Sequence, residues 1–166
     1  GANVHFADID PHTINISSKS LAESFKGHHN IKAVIPVHFA GLPCDMETIN
    51  RIAEKNGLMV IEDAAQAISD KYKSKKVGAI SDFTCFSFSA VKNLTTAEGG
   101  MVTTDDKKQA DRIRLLSIDG IEKNVSKTNR WFYQMVVPGY RFNLTDIASS
   151  IGLWQLKKLE RNYRKQ

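Results

Sequence analysis

Four consecutive apolar residues, Leu58-Met59-Val60-Ile61, run directly into two acids, Glu62 and Asp63. An unbroken apolar run of this length marks a strand covered on both faces, the situation of a parallel sheet, rather than a half-solvated strand that alternates with polar residues. Just upstream, Asp45 is placed to cap a helix with Met46, Ile49, Ile52 and Ala53 on one side, and Gly57 is placed to stop it. That helix-then-strand unit recurs along the chain. Val4 to Ala7 reads as a strand leading into the turn Asp8-Ile9-Asp10-Pro11. Leu21 and Phe25 then share one side of a short helix ending near Gly27, and Ile31 to Val37 forms an apolar strand. Further on, Phe83 to Phe88 is a strand candidate, followed by the loop Ser89 to Glu98 and a strand over Gly100 to Thr103. Asp105 or Thr104 caps a helix reaching Leu116, closed by Gly120. Residues 121–139 lack clear periodicity and read as a long ordered excursion. The last helix starts near Thr145, with Ile147, Ile151, Trp154 and Leu159 on one side and small residues, Gly152 among them, for close packing. Strands alternating with helices predict an α/β fold built on a largely parallel sheet.

Composition narrows the function. With 166 residues, 42% hydrophobic and 25% charged, the chain is one domain or a piece of a larger one, and neither disordered nor fibrous. No apolar run approaches the roughly 20 residues that span a bilayer. The net charge of +5 is concentrated at one end: Lys157, Lys158, Arg161, Arg164 and Lys165 lie in the last ten residues. The rest is nearly neutral, whereas a nucleic-acid surface needs basic residues spread over a face of the fold. A solvated helix face is the better reading, and neither nucleic acid nor membrane is an expected partner. Cys44 and Cys85 match no metal-ligand spacing, and Cys85, in an apolar run, is expected to be a buried reduced thiol, which suits a cytoplasmic protein. The His28-His29 pair reads as an exposed turn, with zinc binding a poor second.

Ligands of parallel sheets bind beyond the carboxyl ends of the strands. Three such ends carry polar residues: His38 after Val37, Asp63 and Gln66 after Ile61, and Ser87 to Lys92 after Phe83. An acid following four apolar residues is partly desolvated and calls for a cationic partner, which makes Asp63 and Lys92 the informative pair. By composition alone Lys92 is a Schiff-base nucleophile, a phosphate ligand or a surface charge, the last being commonest.

The order of the motifs is more specific. Val37-His38-Phe39-Ala40-Gly41, Glu62-Asp63-Ala64-Ala65-Gln66-Ala67, Phe86-Ser87-Phe88, Lys92-Asn93 and Glu98-Gly99-Gly100-Met101 are followed by Gly139-Tyr140-Arg141-Phe142-Asn143-Leu144 and Gln155-Leu156-Lys157-Lys158-Leu159. In this order the chain resembles the sugar aminotransferases of the DegT/DnrJ/EryC1/StrS family. The resemblance implies a three-layer α/β/α fold with a mostly parallel sheet, like the large domain of fold-type I pyridoxal-phosphate transferases. It also implies that residues 1–166 form part of that cofactor-binding domain, with the start of the domain and the C-terminal small domain absent.

Roles follow from the resemblance residue by residue. Lys92 matches the lysine that holds pyridoxal 5'-phosphate as a Schiff base and shuttles the proton. Asp63 matches the acid pairing with the pyridine nitrogen, Gln66 the residue against the ring near its 3-oxygen, and Ser87 a hydroxyl donor to the phosphate. His38 matches a position beside the site, with a direct role and the satisfaction of nearby backbone groups both open. Many relatives have Asn-aromatic-Arg where this chain has Arg141-Phe142-Asn143, and their asparagine reaches the cofactor phosphate of the neighbouring subunit. Members acting on 4-amino-arabinose precursors have asparagine at the later position, so Asn143 is the expected ligand and Arg141 the fallback. Capping the following helix is the structural alternative for Asn143.

The implied activity is transfer of an amino group, with glutamate the expected donor, to a nucleotide-linked keto-sugar by a homodimer, with pyridoxamine phosphate formed during turnover. A dehydratase branch carries histidine in place of the lysine, so Lys92 favours transamination. The alternative is a folded but catalytically incomplete module that binds cofactor or self-associates. A third reading, a binding protein on the same scaffold, is disfavoured by the retained Asp63, Gln66, Ser87 and Lys92.

Overall fold

The computed structural model describes residues 1–27, 30–123 and 132–163, with only the backbone described at 123, 160, 162 and 163. The His28-His29 pair and part of the 121–139 excursion lie outside these residues. The elements are α1 (Ser18–Ser24), β1 (Ala33–Val34), α2 (Met46–Asn56), β2 (Met59–Asp63), β3 (Lys71–Tyr72), β4 (Lys75–Lys76), β5 (Phe83–Ser87), β6 (Gly100–Thr103), α3 (Lys107–Leu116), β7 (Ile121–Lys123), β8 (Tyr133–Met135) and α4 (Asp146–Tyr163). The main sheet has the order β1-β2-β5-β6. Its first three strands are parallel, and β6 runs antiparallel to β5. Two short antiparallel ribbons, β3–β4 and β7–β8, complete the strands. The mixed, mostly parallel sheet with helices is the expected α/β class. Among the described residues no helix is long and apolar enough to cross a membrane.

The α2–β2 unit forms as its sequence dictates. Asp45 caps α2 by accepting from the Thr48 amide at 3.4 Å, and Gly57 closes it with φ 64°. Met46, Ile49 and Ala53 face inward and join Leu21, Val34, Cys44, Leu58 and Val60 in one core cluster. A second cluster gathers Ala64, Ala67, Val77, Phe86, Phe88, Leu94 and Leu159.

Several local expectations change. Val4 to Ala7 pairs with no strand among the described residues, and Phe6 is 94% exposed. A strand needs a partner for its backbone groups, and among the described residues the nearest ladder contact is the Ile9–Ile16 bridge. The strand expected over Ile31 to Val37 is short, because Pro36 has no amide to donate. Pairing resumes beyond it at the Val37–Asp63 bridge. The cap of α3 is Asp106, which accepts from the amides of Lys108 and Gln109, while Thr104 accepts from the Asp106 amide. Burial alternates along β2, with Val60 and Glu62 buried and Met59, Ile61 and Asp63 more open, so one sheet face is closed and the other half-open. Cys85 lies on that half-open face, and the fully buried thiol is Cys44. Of the apolar side of α4, Leu159 is buried, whereas Ile147 and Trp154 are exposed. Thr145 starts the helix as expected, accepting from the Ala148 amide at 3.2 Å. Gly152 also packs closely: a Cβ there would stand 2.8 Å from Thr96 Cγ2, so α4 lies against the loop that follows Lys92.

Candidate active site

The carboxyl ends of β2 and β5 place two of the expected residues together. Asp63 ends β2 directly opposite Cys85 of β5, and Ser87 lies two residues further along β5. Residues two apart on a strand share a face, so Asp63, Cys85 and Ser87 line the half-open side, with Asp63 and Ser87 about 8 Å apart at ordinary sheet spacings. The backbone of Asp63 is held on both sides: its amide donates to the Pro36 carbonyl (2.9 Å) and its carbonyl accepts from the His38 amide (3.0 Å). Its carboxylate accepts from the Ala65 amide at 3.0 Å. The expected ion pair with Lys92 is not formed, because a half-exposed carboxylate is already served by that amide and by solvent. Burial, aided by the Asp63 charge, pushes the Cys85 thiol above its ordinary value.

Lys92 projects from a loop pinned at both ends. The Phe88 amide donates to Gly99 O and the Thr96 amide to Phe88 O, both at 2.9 Å, while Leu94 and Thr96 are buried beneath. Within the loop the Lys92 amide donates to Ser89 O at 3.1 Å. Among the described residues no carboxylate pairs with the half-buried Lys92 ammonium. Ser87 Oγ accepts from the Ser89 amide at 3.4 Å, which leaves its hydroxyl proton to donate elsewhere.

Gln66 is not simply solvated. Its Oε1 accepts from the Ala40 amide at 2.8 Å. A backbone amide can only donate, so this contact fixes the side-chain orientation and leaves Nε2 as a directed donor. The bond joins the turn after β1 to the turn after β2. Gly41 permits the approach: its φ is +85°, and a Cβ would stand 3.1 Å from both Asp70 Oδ2 and Gln66 O.

Asn143 lines a separate hollow of about 350 Å³ with Ile118, Ile121, Tyr133 and Arg141. It does not cap α4, since Thr145 does. Arg141 is engaged, donating from Nη1 to Asp119 Oδ2 at 2.6 Å, whereas Asn143 forms no side-chain hydrogen bond among the described residues. The two segments that carry these residues cross where a Cβ on Gly139 would stand 2.2 Å from the Gly120 nitrogen.

The closed face of the sheet holds a cluster that sequence reasoning left without a role. Glu62 and His38 are fully buried, with Glu62 Oε2 2.8 Å from His38 Nε2. Glu62 Oε1 accepts from Thr84 Oγ1 at 3.0 Å, and His38 Nδ1 accepts from the Cys44 amide at 3.2 Å. Because Nδ1 faces a donor, the neutral ring carries its proton on Nε2 and donates it to Glu62. Of the two readings open for His38, the geometry favours satisfaction of a backbone group and a buried acid. The signal was present in the alternation of β2, which turns Glu62 inward when Asp63 turns outward.

The ends of β2 and β5 and the turns that follow them therefore carry a carboxylate, a hydroxyl donor, an oriented amide donor and a lysine that pairs with no carboxylate among the described residues. Such a set suits a small aromatic base carrying an anionic arm and an aldehyde. Comparisons with known proteins agree. The chain is 46% identical over 164 residues to the spore coat polysaccharide biosynthesis protein SpsC of Bacillus subtilis, covering 96% of this chain and 42% of that protein. It is 48% identical over 159 residues to the uncharacterized protein MJ1066 of Methanocaldococcus jannaschii, covering 93% and 41%. Among solved structures, a putative sugar aminotransferase Spr1654 of Streptococcus pneumoniae in its PMP form matches with TM-score 0.89 at 33% identity, over 97% of this chain and 46% of that one. Helicobacter pylori PseC, an aminotransferase involved in the biosynthesis of pseudoaminic acid, matches with TM-score 0.88 at 31% identity, over 95% and 40%. The chain thus spans less than half the length of these relatives. The family description that matches covers residues 1–166, and the chain belongs to the DegT/DnrJ/EryC1/StrS aminotransferase family.

Proposed function

We propose that the protein acts as a pyridoxal-phosphate-dependent aminotransferase, moving an amino group from glutamate to a nucleotide-linked keto-sugar in cell-surface polysaccharide or amino-sugar biosynthesis. The observation that supports this reading is that Asp63 and Ser87 share one face at the carboxyl ends of two adjacent parallel strands, with Lys92, which pairs with no carboxylate among the described residues, in the loop after the second. The donor set fits the cofactor. Asp63 would keep the ring nitrogen protonated, Gln66 Nε2 would donate to the 3-oxygen, and Ser87 would donate to the phosphate. Lys92 would hold the cofactor covalently and then, once free, carry the proton at its Nζ between the donor's Cα and the cofactor's C4′. The cofactor, when bound, would supply an electron sink that the side chains lack.

The same reading makes the enzyme a homodimer in which Asn143 serves the partner subunit's cofactor phosphate. The engagement of Arg141 by Asp119 supports Asn143 over Arg141. Exposed Ile147, Leu153, Trp154 and Leu156 on α4 support association. They also favour a second reading for this chain by itself: a folded, cofactor-binding or self-associating module that does not complete turnover.

The test is the donor half-reaction. Protein loaded with pyridoxal phosphate should convert glutamate to 2-oxoglutarate as the cofactor's absorption band disappears, and Lys92→Ala should abolish both changes. Cofactor bound at Lys92 but unreactive toward glutamate would favour the module. Full turnover by Asp63→Ala would overturn the role given to Asp63.

A further inference from the structure

The residue that most needs orientation in this site is Asp63, and the half-open face does little to orient it. Among the described residues its carboxylate has one hydrogen bond, from Ala65. What fixes the peptide that carries it lies on the other side of the sheet. His38 grips the β2 terminus twice: its backbone amide donates to Asp63 O at 3.0 Å, and its ring holds Glu62 Oε2 at 2.8 Å. The ring is itself anchored by the Cys44 amide, and Thr84 of the next strand holds the second Glu62 oxygen. All three side chains have no exposed surface. Rotation of the backbone at the Glu62–Asp63 step would break the in-plane ladder bonds to Pro36 and His38 together with the Glu62 side-chain bonds of the closed face.

We propose that the buried His38–Glu62–Thr84 cluster is a positioning device for Asp63, clamping the end of β2 from the closed face so that the Asp63 carboxylate is presented at a fixed angle to the cofactor's ring nitrogen. This rests on the role given to Asp63 above. A buried acid beside a functional acid need not serve it, but here one residue holds both by separate bonds. The clamp works through hydrogen bonds and needs no net charge at residue 62. In Glu62→Gln, Oε1 can still accept from His38 Nε2 and the amide can donate to Thr84 Oγ1, so the grip survives.

The experiment uses the protein that carries this chain, loaded with pyridoxal phosphate, in the variants His38→Leu, Thr84→Val, Glu62→Gln and Asp63→Asn. Two readouts apart from activity are taken: the cofactor dissociation constant, and the visible circular dichroism of the bound cofactor, which reports its orientation. Loss of the outer partner of a ligand commonly costs about tenfold in affinity. His38→Leu is therefore expected to weaken cofactor binding about tenfold and alter the dichroic band, with Thr84→Val moving both readouts the same way and less. Glu62→Gln should stay within about twofold of wild type. If His38→Leu does not fold, Thr84→Val, which removes a single hydroxyl, decides. Wild-type affinity and dichroism in every folded clamp variant, with Asp63→Asn impaired, would leave the cluster purely structural and overturn the proposal. Equal damage from Glu62→Gln and His38→Leu would show charge rather than geometry at work, and would also overturn it. An Asp63→Asn variant that binds like wild type would instead overturn the role of Asp63 itself.

Discussion

Replacing His38 by leucine should be repaired in stability by a second, apparently damaging substitution. In the native protein Glu62 is fully buried between His38 and Thr84. His38→Leu leaves the carboxylate with the Thr84 hydroxyl alone, and removing one partner of a buried pair costs about 3–5 kcal/mol. The Cys44 amide also loses its acceptor, His38 Nδ1. An unsatisfied buried donor costs about 1–3 kcal/mol. The two costs share a relaxation, so the single variant should lose about 5 kcal/mol, a large part of an ordinary domain's stability. Adding Glu62→Met removes the stranded charge at similar volume and leaves mainly the amide unsatisfied. The double variant should therefore be about 3 kcal/mol more stable than His38→Leu alone. Urea unfolding followed by intrinsic fluorescence measures this from the midpoints, provided the slopes agree. A double variant less stable than the single, with the two deficits simply adding, would refute the claim that an unpaired buried carboxylate carries the cost.

Other expectations follow from neighbouring features. Burial pushes the Cys44 thiol up to about 11 from an ordinary 9.0, so the fold favours the protonated thiol. Its contribution is complete below pH 9 and lost between 9 and 11, by about 2–3 kcal/mol. Cys44→Ala should therefore show a flatter alkaline limb in pH-dependent unfolding. The Asp45 carboxyl is held below its ordinary value by hydrogen bonds from Thr48 and Tyr72, so it stabilises the fold above that value and the benefit is lost as pH falls through the lowered one. Tyr72→Phe should raise the acid-unfolding midpoint. Gly139→Ala would drive its new Cβ into the Gly120 backbone nitrogen, so the two segments must move apart, which should cost about 2 kcal/mol or more, read as a lower melting temperature. Gly27→Ala, with nothing within 4 Å, should not.

The sequence revealed most where one residue's chemistry decides its own neighbourhood. Asp45 and Gly57 bound α2, and the apolar run ending at Asp63 forms β2, as local rules require. The order of motifs singles out Asp63, Gln66, Ser87 and Lys92, and of these Asp63 and Ser87 lie on neighbouring strand ends. Less legible were features set by contacts distant along the chain. Val4 to Ala7 has strand-forming residues but no partner strand among those described. The Gln66–Ala40 bond spans 26 positions, and the His38–Glu62 and Glu62–Thr84 contacts span 24 and 22. Periodicity can turn Glu62 inward, but it cannot say what waits there. The engagement of Arg141 likewise depends on Asp119, 22 positions away and with no motif to mark it.

The central claim, that Lys92 is the amine at a cofactor site built on the ends of β2 and β5, is tested most directly by covalent labelling. The protein is incubated with pyridoxal phosphate, reduced with borohydride, digested and mapped by mass spectrometry. The account requires the label on the Lys92 peptide, abolished by Lys92→Ala and untouched by Lys75→Ala. Label absent from Lys92, or spread over exposed lysines such as Lys75 and Lys76, would contradict it.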